Sequence, residues 1–327
     1  MLALKALLAL LTGVTFTFKV STINGQTLDD CHSAQYERRI EACTNVAENP
    51  KVVPPVRAYA LTERSFARQD HGDFDDALAD DTEAIRIAPD YAYARYHRGR
   101  LNQRLLRFED AVADFDAAAR LEPKNALYVT LRGLNHHQNG NRAQALADFA
   151  SAIELDPKLA DAYLYRGYAY LDENDDDRVI ADLSEAIRLA PKEWRAYRGR
   201  GEAYRRKGEQ DLAIADYSAV VRLNPSWIDA FTIRGNAYRE KGEFDLAIAD
   251  YTEAIRLAPS MAQLHHDRGV VYRQKGDREH AVADFRDAVR MAPLASQASL
   301  NELQAMGVDA PKSERDALKQ GVLDLLK

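Results

Sequence analysis

The chain has no excess of basic residues: 44 Lys and Arg stand against 51 Asp and Glu, a formal net charge of -7 over 327 residues. Nucleic acid is therefore not the expected partner, because neutralising a phosphate backbone needs a basic surface. Long hydrophobic runs are missing too. The apolar stretch from Ala6 to Phe18 is thirteen residues, short of the roughly 20 that carry a helix across a bilayer. No glycine-rich phosphate loop follows a strand, and neither G-x-S-x-G nor H-E-x-x-H occurs. The chain is thus expected to be no enzyme and to hold no cofactor or metal. The adjacent pairs His136-His137 and His265-His266 would point about 100° apart on a helix of 3.6 residues per turn, which makes them poor metal sites.

Cysteine is scarce: Cys31 and Cys43 are the only two. On one continuous helix they would stand about 18 Å apart at 1.5 Å per residue, far beyond the roughly 7 Å that a disulfide spans. Pairing needs a reversal between them, and "HSAQYE" supplies a turn before "RRIEACTNVAEN" starts a helix. Two readings stand. A disulfide would close a short loop and stabilise by roughly 2 to 3 kcal/mol; in a reducing cytoplasm the two are unpaired small apolar residues. "LDDC" lacks the small residues of a lipoprotein attachment site, so no lipid is expected.

What is present describes a folded protein, 46% hydrophobic and 29% charged, too apolar for a disordered chain. Residues 1–25 join Lys5, the apolar run and small or polar residues before Gln26, the pattern of a secretory signal. Export to a periplasm is the expectation, and a cytoplasmic or membrane-anchored chain with its leader attached is the alternative. Residues 26–57 form a Cys-containing helical segment.

From residue 58 the chain repeats itself. Pro89, Pro123, Pro157, Pro191, Pro225, Pro259 and Pro293 stand 34 residues apart, and Gly99, Gly133, Gly167, Gly201, Gly235 and Gly269 keep the same interval. A proline at that interval stops a helix, and text such as "IDAFTIRGNAYREKGEFDLAIADYTEAIRLAP" splits at Lys241-Gly242 into two helical stretches. Seven helical hairpins follow, starting at Ala58, Ala92, Ala126, Ala160, Trp194, Ile228 and Ala262. The glycines, with Ala77, Ala111, Ala145, Ala213, Ala247 and Ala281, mark close approach of two helices. Tyr170, Tyr204, Tyr238 and Tyr272, with Phe115, Phe149, Tyr217, Tyr251 and Phe285, are expected in the core.

Polar residues also keep the period. Arg234 and Asp250 lie eight residues on either side of Gly242, so antiparallel helices bring them to one height. The pair returns as Arg64 with Asp80, Arg98 with Asp114, Arg132 with Asp148, Arg166 with Asp182, Arg200 with Asp216 and Arg268 with Asp284. A ladder of partly buried ion pairs is expected, within a repeat or reaching its neighbour, that sets register more than it stabilises. A row of metal-binding or substrate-binding carboxylates is the rival reading, disfavoured because each Asp brings its own Arg.

The order Gly, Tyr, Ala, aromatic, Ala, Pro at this period resembles the tetratricopeptide repeat over residues 58–295. The match is weakest at the fourth copy, with Asn174, Val179 and Leu183, and at the second, where Leu106 replaces the turn glycine. "RRIEACT" with the "RGNAY" and "AIADY" phrases is similar to exported repeat proteins of proteobacteria. The resemblance implies an all-α solenoid, a right-handed superhelix of seven hairpins, closed by C-terminal capping helices over residues 296–327. It also implies a concave groove lined by first helices, used for binding.

At the family's groove positions, the second, fifth, ninth, twelfth and thirteenth of each copy, the first four repeats place Tyr59, Phe66, Tyr93, Tyr96, Leu127, Leu134, Leu164, Tyr168 and Leu171. Later copies place Arg195, Arg198, Arg205, Arg206, Arg239 and Arg273, with Arg100 and Arg104 further back and Glu202, Asp229 and Glu240 opposing. An apolar half and a basic half would suit a protein or peptide ligand with an acidic segment or a free carboxylate, because Arg pairs with carboxylate bidentately. The bland alternative is aromatics packed on neighbouring helices and solvated arginines. Chaperone-binding members use a Lys and Asn clamp; these positions hold no Lys and one Asn, Asn236, so that partner is not expected. The chain is read as a non-enzymatic binding scaffold of the bacterial envelope, or else as a cytoplasmic or membrane-tethered adaptor.

Overall fold

Fourteen-residue helical phrases alternate with breakers at a fixed interval, and the computed structural model of the chain obeys both. It describes residues 28–32, 35–293 and 295–309. The leader and the amphipathic segment from residue 313 lie outside the described residues. Among the described residues all regular structure is helical. A short 3₁₀ turn (Leu28–His32) precedes α1 (Tyr36–Glu48). The first three hairpins are α2 (Pro54–His71) with α3 (Phe74–Ile87), α4 (Ala92–Arg104) with α5 (Phe108–Leu121), and α6 (Ala126–Gln138) with α7 (Arg142–Leu155). Then come α8 (Ala160–Glu173) with α9 (Asp176–Leu189), α10 (Trp194–Arg206) with α11 (Gln210–Leu223), α12 (Ile228–Lys241) with α13 (Phe244–Leu257), and α14 (Ala262–Lys275) with α15 (Arg278–Met291). A shorter α16 (Gln297–Ala305) follows. The chain forms two compact units that divide after Ala162, and each stacks consecutive hairpins, the architecture of an all-α solenoid.

Each hairpin turns through one left-handed residue: Gly72, Leu106, Gly140, Asn174, Gly208, Gly242 and Gly276. The second and fourth copies keep this conformation without glycine, at φ 60° for Leu106 and 58° for Asn174. Asparagine tolerates that region, whereas leucine is strained there by roughly 1–2 kcal/mol. The geometry persists because it ties off the helix end: at Leu106 the amide donates to the Gln103 carbonyl at 3.0 Å, and the next amide to that of Asn102 at 2.9 Å.

Inside six of the seven hairpins a glycine of the first helix faces a bulky residue of the second. A β-carbon on Gly133 would lie 2.9 Å from the Phe149 ring, and one on Gly201 2.7 Å from that of Tyr217. Phe115, Phe149, Tyr251 and Phe285 are fully buried, as are the periodic alanines beside them. Tyr170, Tyr204, Tyr238 and Tyr272 are half-buried and pack against the core at its edge. Their rings lie beneath guanidinium groups: Arg200 is 5.8 Å from the Tyr204 centroid, Arg234 5.8 Å from Tyr238 and Arg268 5.9 Å from Tyr272.

The Arg and Asp ladder is complete. In all seven hairpins the arginine Nε and Nη2 donate to both oxygens of the aspartate sixteen residues on, as Arg234 does to Asp250 at 2.8 and 2.6 Å. In six of the seven, Nη1 also reaches back to the preceding second helix, on Thr44, Thr82, Asp116, Ser184, Ser218 or Thr252. Each of these arginines therefore fixes its own hairpin and docks it on the previous one. Bonds to Asp hold the guanidinium groups of Arg98, Arg132, Arg166, Arg200, Arg234 and Arg268 above the ordinary arginine pKa, against the opposing effect of burial.

The repeat frame runs past both expected limits. Thr44 on α1 takes the hydroxyl role that Thr82 takes on α3, so α1 serves as the second helix of an incomplete hairpin. At the other end α16 packs on α15 with fully buried Leu303, as the first helix of an eighth. Of the expected C-terminal helices, this is the one within the described residues.

Candidate functional site

The side chains predicted to line the first-helix face differ in burial and in partners. In the first unit Tyr93 and Tyr96 pack at 5.7 Å, and Tyr96 and Tyr128 at 5.6 Å. Tyr59 meets His32 from the 3₁₀ turn, with Oη and Nε2 2.8 Å apart. Phe66 is 47% exposed, with the Arg39 guanidinium 5.2 Å from its ring centroid. Arg39 itself pairs with Glu63 at 3.1 Å. Burial pushes the Tyr93 phenol up to about 12, with the charges of Glu63 and Asp81 acting in the same direction. Leu127 and Leu134 are half-buried beside Phe115 and Leu131.

In the second unit the expected basic half is largely neutralised within the protein. Arg195 pairs with Glu193 at 2.7 Å, Arg205 with Glu202 at 2.8 Å and Glu240 at 3.3 Å, and Arg273 with Glu302 at 3.2 Å. Arg206 pairs with Asp176 at 2.6 Å and donates to the Leu171 carbonyl and the Asn174 side chain, securing the left-handed turn of the neighbouring hairpin. Asn236 accepts from the Tyr251 hydroxyl at 2.7 Å, so its oxygen belongs to the core. Leu164 is core as well, and Tyr168 donates to the Arg195 carbonyl at 2.9 Å. The partners of Arg205, Glu202 and Glu240, stand at groove positions themselves; those of Arg195, Arg206 and Arg273 lie elsewhere, two residues or about one repeat away, which the groove positions alone do not reveal.

Arg198 is different. It is exposed, its guanidinium sits 6.0 Å from the Tyr168 ring centroid, and it makes no ion pair among the described residues. Arg239, half-buried, and Arg100, exposed, are likewise without an ion pair there. Arg104 instead lies 4.8 Å over Phe74.

Cys31 and Cys43 are brought together and fully buried, but as free thiols. The Cys43 thiol donates to the Cys31 carbonyl at 3.9 Å, and the neighbouring Cys31 thiol, with burial, pushes its pKa far up. The reversal expected between them is present and the covalent bond is not.

One acidic cluster has the residue types of a metal site: His265, Asp284 and Asp287 gather their ligand atoms within 4.8 Å. Its charge is already balanced, Asp284 by Arg268 at 2.8 Å and Asp287 by Arg290 at 2.7 Å. A divalent ion would have to displace or sit beside two guanidinium groups, so the geometry favours an ion-pair rung. His266 turns away, its Nδ1 2.9 Å from Ser299 Oγ.

The sequence comparison decides the family. A tetratricopeptide-repeat model matches residues 67–126, 130–181 and 180–226, another matches 262–293, and a TPR-repeat model matches 235–276. This chain belongs to the tetratricopeptide repeat family. No curated protein matches it. Solved TPR structures do. YrrB, a TPR protein with an unusual peptide-binding site, is 21% identical at TM-score 0.53, covering 58% of this chain and 97% of its own. A tetratricopeptide repeat protein from Parabacteroides merdae is 21% identical at 0.53, covering 75% and 96%. The C-terminal part of a TPR protein from Cytophaga hutchinsonii is 16% identical at 0.58, covering 73% and 98%. At such identities the likeness is one of fold, and it agrees with the TPR hairpins described above.

Sequence reasoning missed one TPR position. In the first repeat Ser65 stands where the other six have glycine, and Asp81 where they have a large apolar residue. That double departure was visible in the aligned copies, although its partner His97 was not.

Proposed function

We propose that the chain is a non-catalytic scaffold that holds a protein or peptide segment along the first helices of its repeats. The observation that carries this is Arg198, an exposed guanidinium without an ion pair among the described residues, 6.0 Å from the Tyr168 ring centroid, beside arginines that are mostly committed to internal pairs. Such a group is preorganised for a carboxylate, because stacking on a ring leaves its hydrogen-bonding edge open. A ligand with an acidic side chain or free C-terminal carboxylate therefore suits it. Arg205 and Arg206 are not anchors in this reading, since both are committed internally.

Peptide arrays probed with the labelled protein test it. Arg198→Glu is expected to weaken retention on acidic peptides by about tenfold or more, which corresponds to about 1.4 kcal/mol, with neutral peptides little affected. Equal retention of both sets by the variant and the parent would remove the carboxylate reading.

We further propose that the scaffold works in the bacterial envelope, supported by the signal-like residues 1–25 and by two buried cysteines brought side by side. An oxidised dithiol carrier would take two electrons and two protons from Cys31 and Cys43 and leave a disulfide. Intact mass of the protein from cells is expected to show cleavage near residue 25 and a deficit of two hydrogens. An uncleaved chain with two free thiols would favour the cytoplasmic or tethered adaptor.

A further inference from the structure

The junction between the first two repeats replaces a hydrophobic contact with a buried polar one. At the next junction Gly99, Phe115 and Leu131 fill the corresponding places, with Phe115 fully buried and Leu131 nearly so. In the first these become Ser65, Asp81 and His97, the serine and aspartate fully buried and the histidine 6% exposed. Ser65 Oγ donates to Asp81 Oδ2 at 2.9 Å, and His97 Nδ1 lies 3.1 Å from both carboxylate oxygens. Arg64 and Arg68 do not help, because both engage the neighbouring Asp80. Burial raises the Asp81 pKa, opposed by the bonds from His97 and Ser65.

This is no hydrolytic triad, for the serine donates to the aspartate instead of to the histidine, and its hydroxyl is sealed in the core. What the arrangement does is orient an imidazole. A carboxylate only accepts, so Nδ1 carries a proton, and in the neutral imidazole Nε2 presents a lone pair. Nε2 has no hydrogen bond among the described residues and is not among the buried polar atoms left without one. The imidazole ring is 6.0 Å from the Phe66 ring and 6.0 Å from that of Tyr93. Both belong to the first-helix face, and Phe66 is largely exposed.

We propose that His97, held by Asp81 and Ser65, is a hydrogen-bond acceptor on the binding face, and that with Phe66 and Tyr93 it takes an aromatic side chain carrying a ring N–H or O–H donor, such as the indole of a tryptophan. This rests on the scaffold reading and names a second anchor in the ligand. The complementarity is specific: two ring walls accept a flat apolar body, and a fixed lone pair rewards a donor on its edge. The burial of Asp81, at a place where six sister repeats use an apolar residue, has in this arrangement a chemical return.

Indole and 1-methylindole, which lacks the donor, are the probes. Imidazole nitrogen NMR of the full-length protein is expected to show saturable perturbation of His97 Nε2 by indole, with 1-methylindole bound about fivefold more weakly, the worth of one ordinary hydrogen bond. His97→Phe should bring the ratio to about one. The triple variant Ser65→Gly, Asp81→Phe, His97→Leu copies the next junction, guards against misfolding of the single variant, and should also abolish the preference. Equal affinity for the two probes, absence of indole binding, a preference that survives in the triple variant, or stronger binding of acetate than of indole at His97 would each overturn the proposal. Because carboxylate retention through Arg198 is measured separately, failure here with that dependence intact leaves the scaffold standing, and failure of both removes it.

Discussion

Alanine in place of Asp216 is expected to lower the unfolding free energy by about 3–5 kcal/mol, the usual loss when one partner of a buried ion pair is removed. Arg200 would then keep only its Ser184 bond at 2.9 Å and lose two bonds of 2.9 and 2.8 Å to the carboxylate. The guanidinium is about one-fifth exposed, so water compensates poorly. Replacing both partners, Arg200→Met with Asp216→Leu, should recover most of the loss, because two apolar residues need no desolvation. Urea unfolding followed by circular dichroism and tyrosine fluorescence checks both, and two probes are needed because repeat arrays can unfold in stages. Peptide affinity at Arg198 should be spared in the folded Asp216→Ala protein. A loss below about 1 kcal/mol would place this rung with surface pairs of little worth.

Gly201 and Gly235 occupy the same place in successive repeats, yet alanine should act on them with opposite sign. A β-carbon at 201 would lie 2.7 Å from Tyr217 Cε1 and 3.2 Å from Asp216 Cβ, whereas at 235 the nearest atoms are 3.4 Å away. Gly201→Ala therefore forces a ring to move and is expected to cost about 1–3 kcal/mol. Gly235→Ala fits and should gain up to about 1 kcal/mol from reduced freedom of the unfolded chain. Denaturation midpoints of the two variants decide it; a shared sign would mean that both hairpins adjust equally.

Features carried by the period were readable from the residues alone. Arg234 and Asp250 could be paired by counting from Gly242, and the hairpin limits followed from the prolines and glycines. Local geometry without a sequence marker was not readable: Leu106 and Asn174 turn left-handed because the fold of the hairpin demands it, against the preference of leucine. The outer half-hairpins escaped because α1 has no turn glycine before it, although Pro55 keeps the 34-residue interval, and its acceptor Thr44 sits one helical turn before the periodic place, which Glu48 occupies; α16 has Leu303 where the glycine would stand. The face residues failed differently. Arg195, Arg205, Arg206 and Arg273 look like a basic row when repeat positions are read one at a time. Glu202 and Glu240 beside Arg205 were readable at those positions, but Glu193, Asp176 and Glu302 sit at others, before the helix or on a neighbouring hairpin or helix, and only coordinates bring them into reach. His97 is the reverse case, a residue without pattern whose meaning comes from Asp81 sixteen residues earlier.

Six of the seven rungs draw their carboxylate from one copy and a second acceptor from the helix before, which constrains how such a gene can change in length. Losing or duplicating one complete copy inside a unit rejoins like to like, and every guanidinium still finds both partners. Losing half a copy sets two helices of the same kind in succession and strands an arginine. Length variation among descendants of this chain should accordingly come in integers of the repeat.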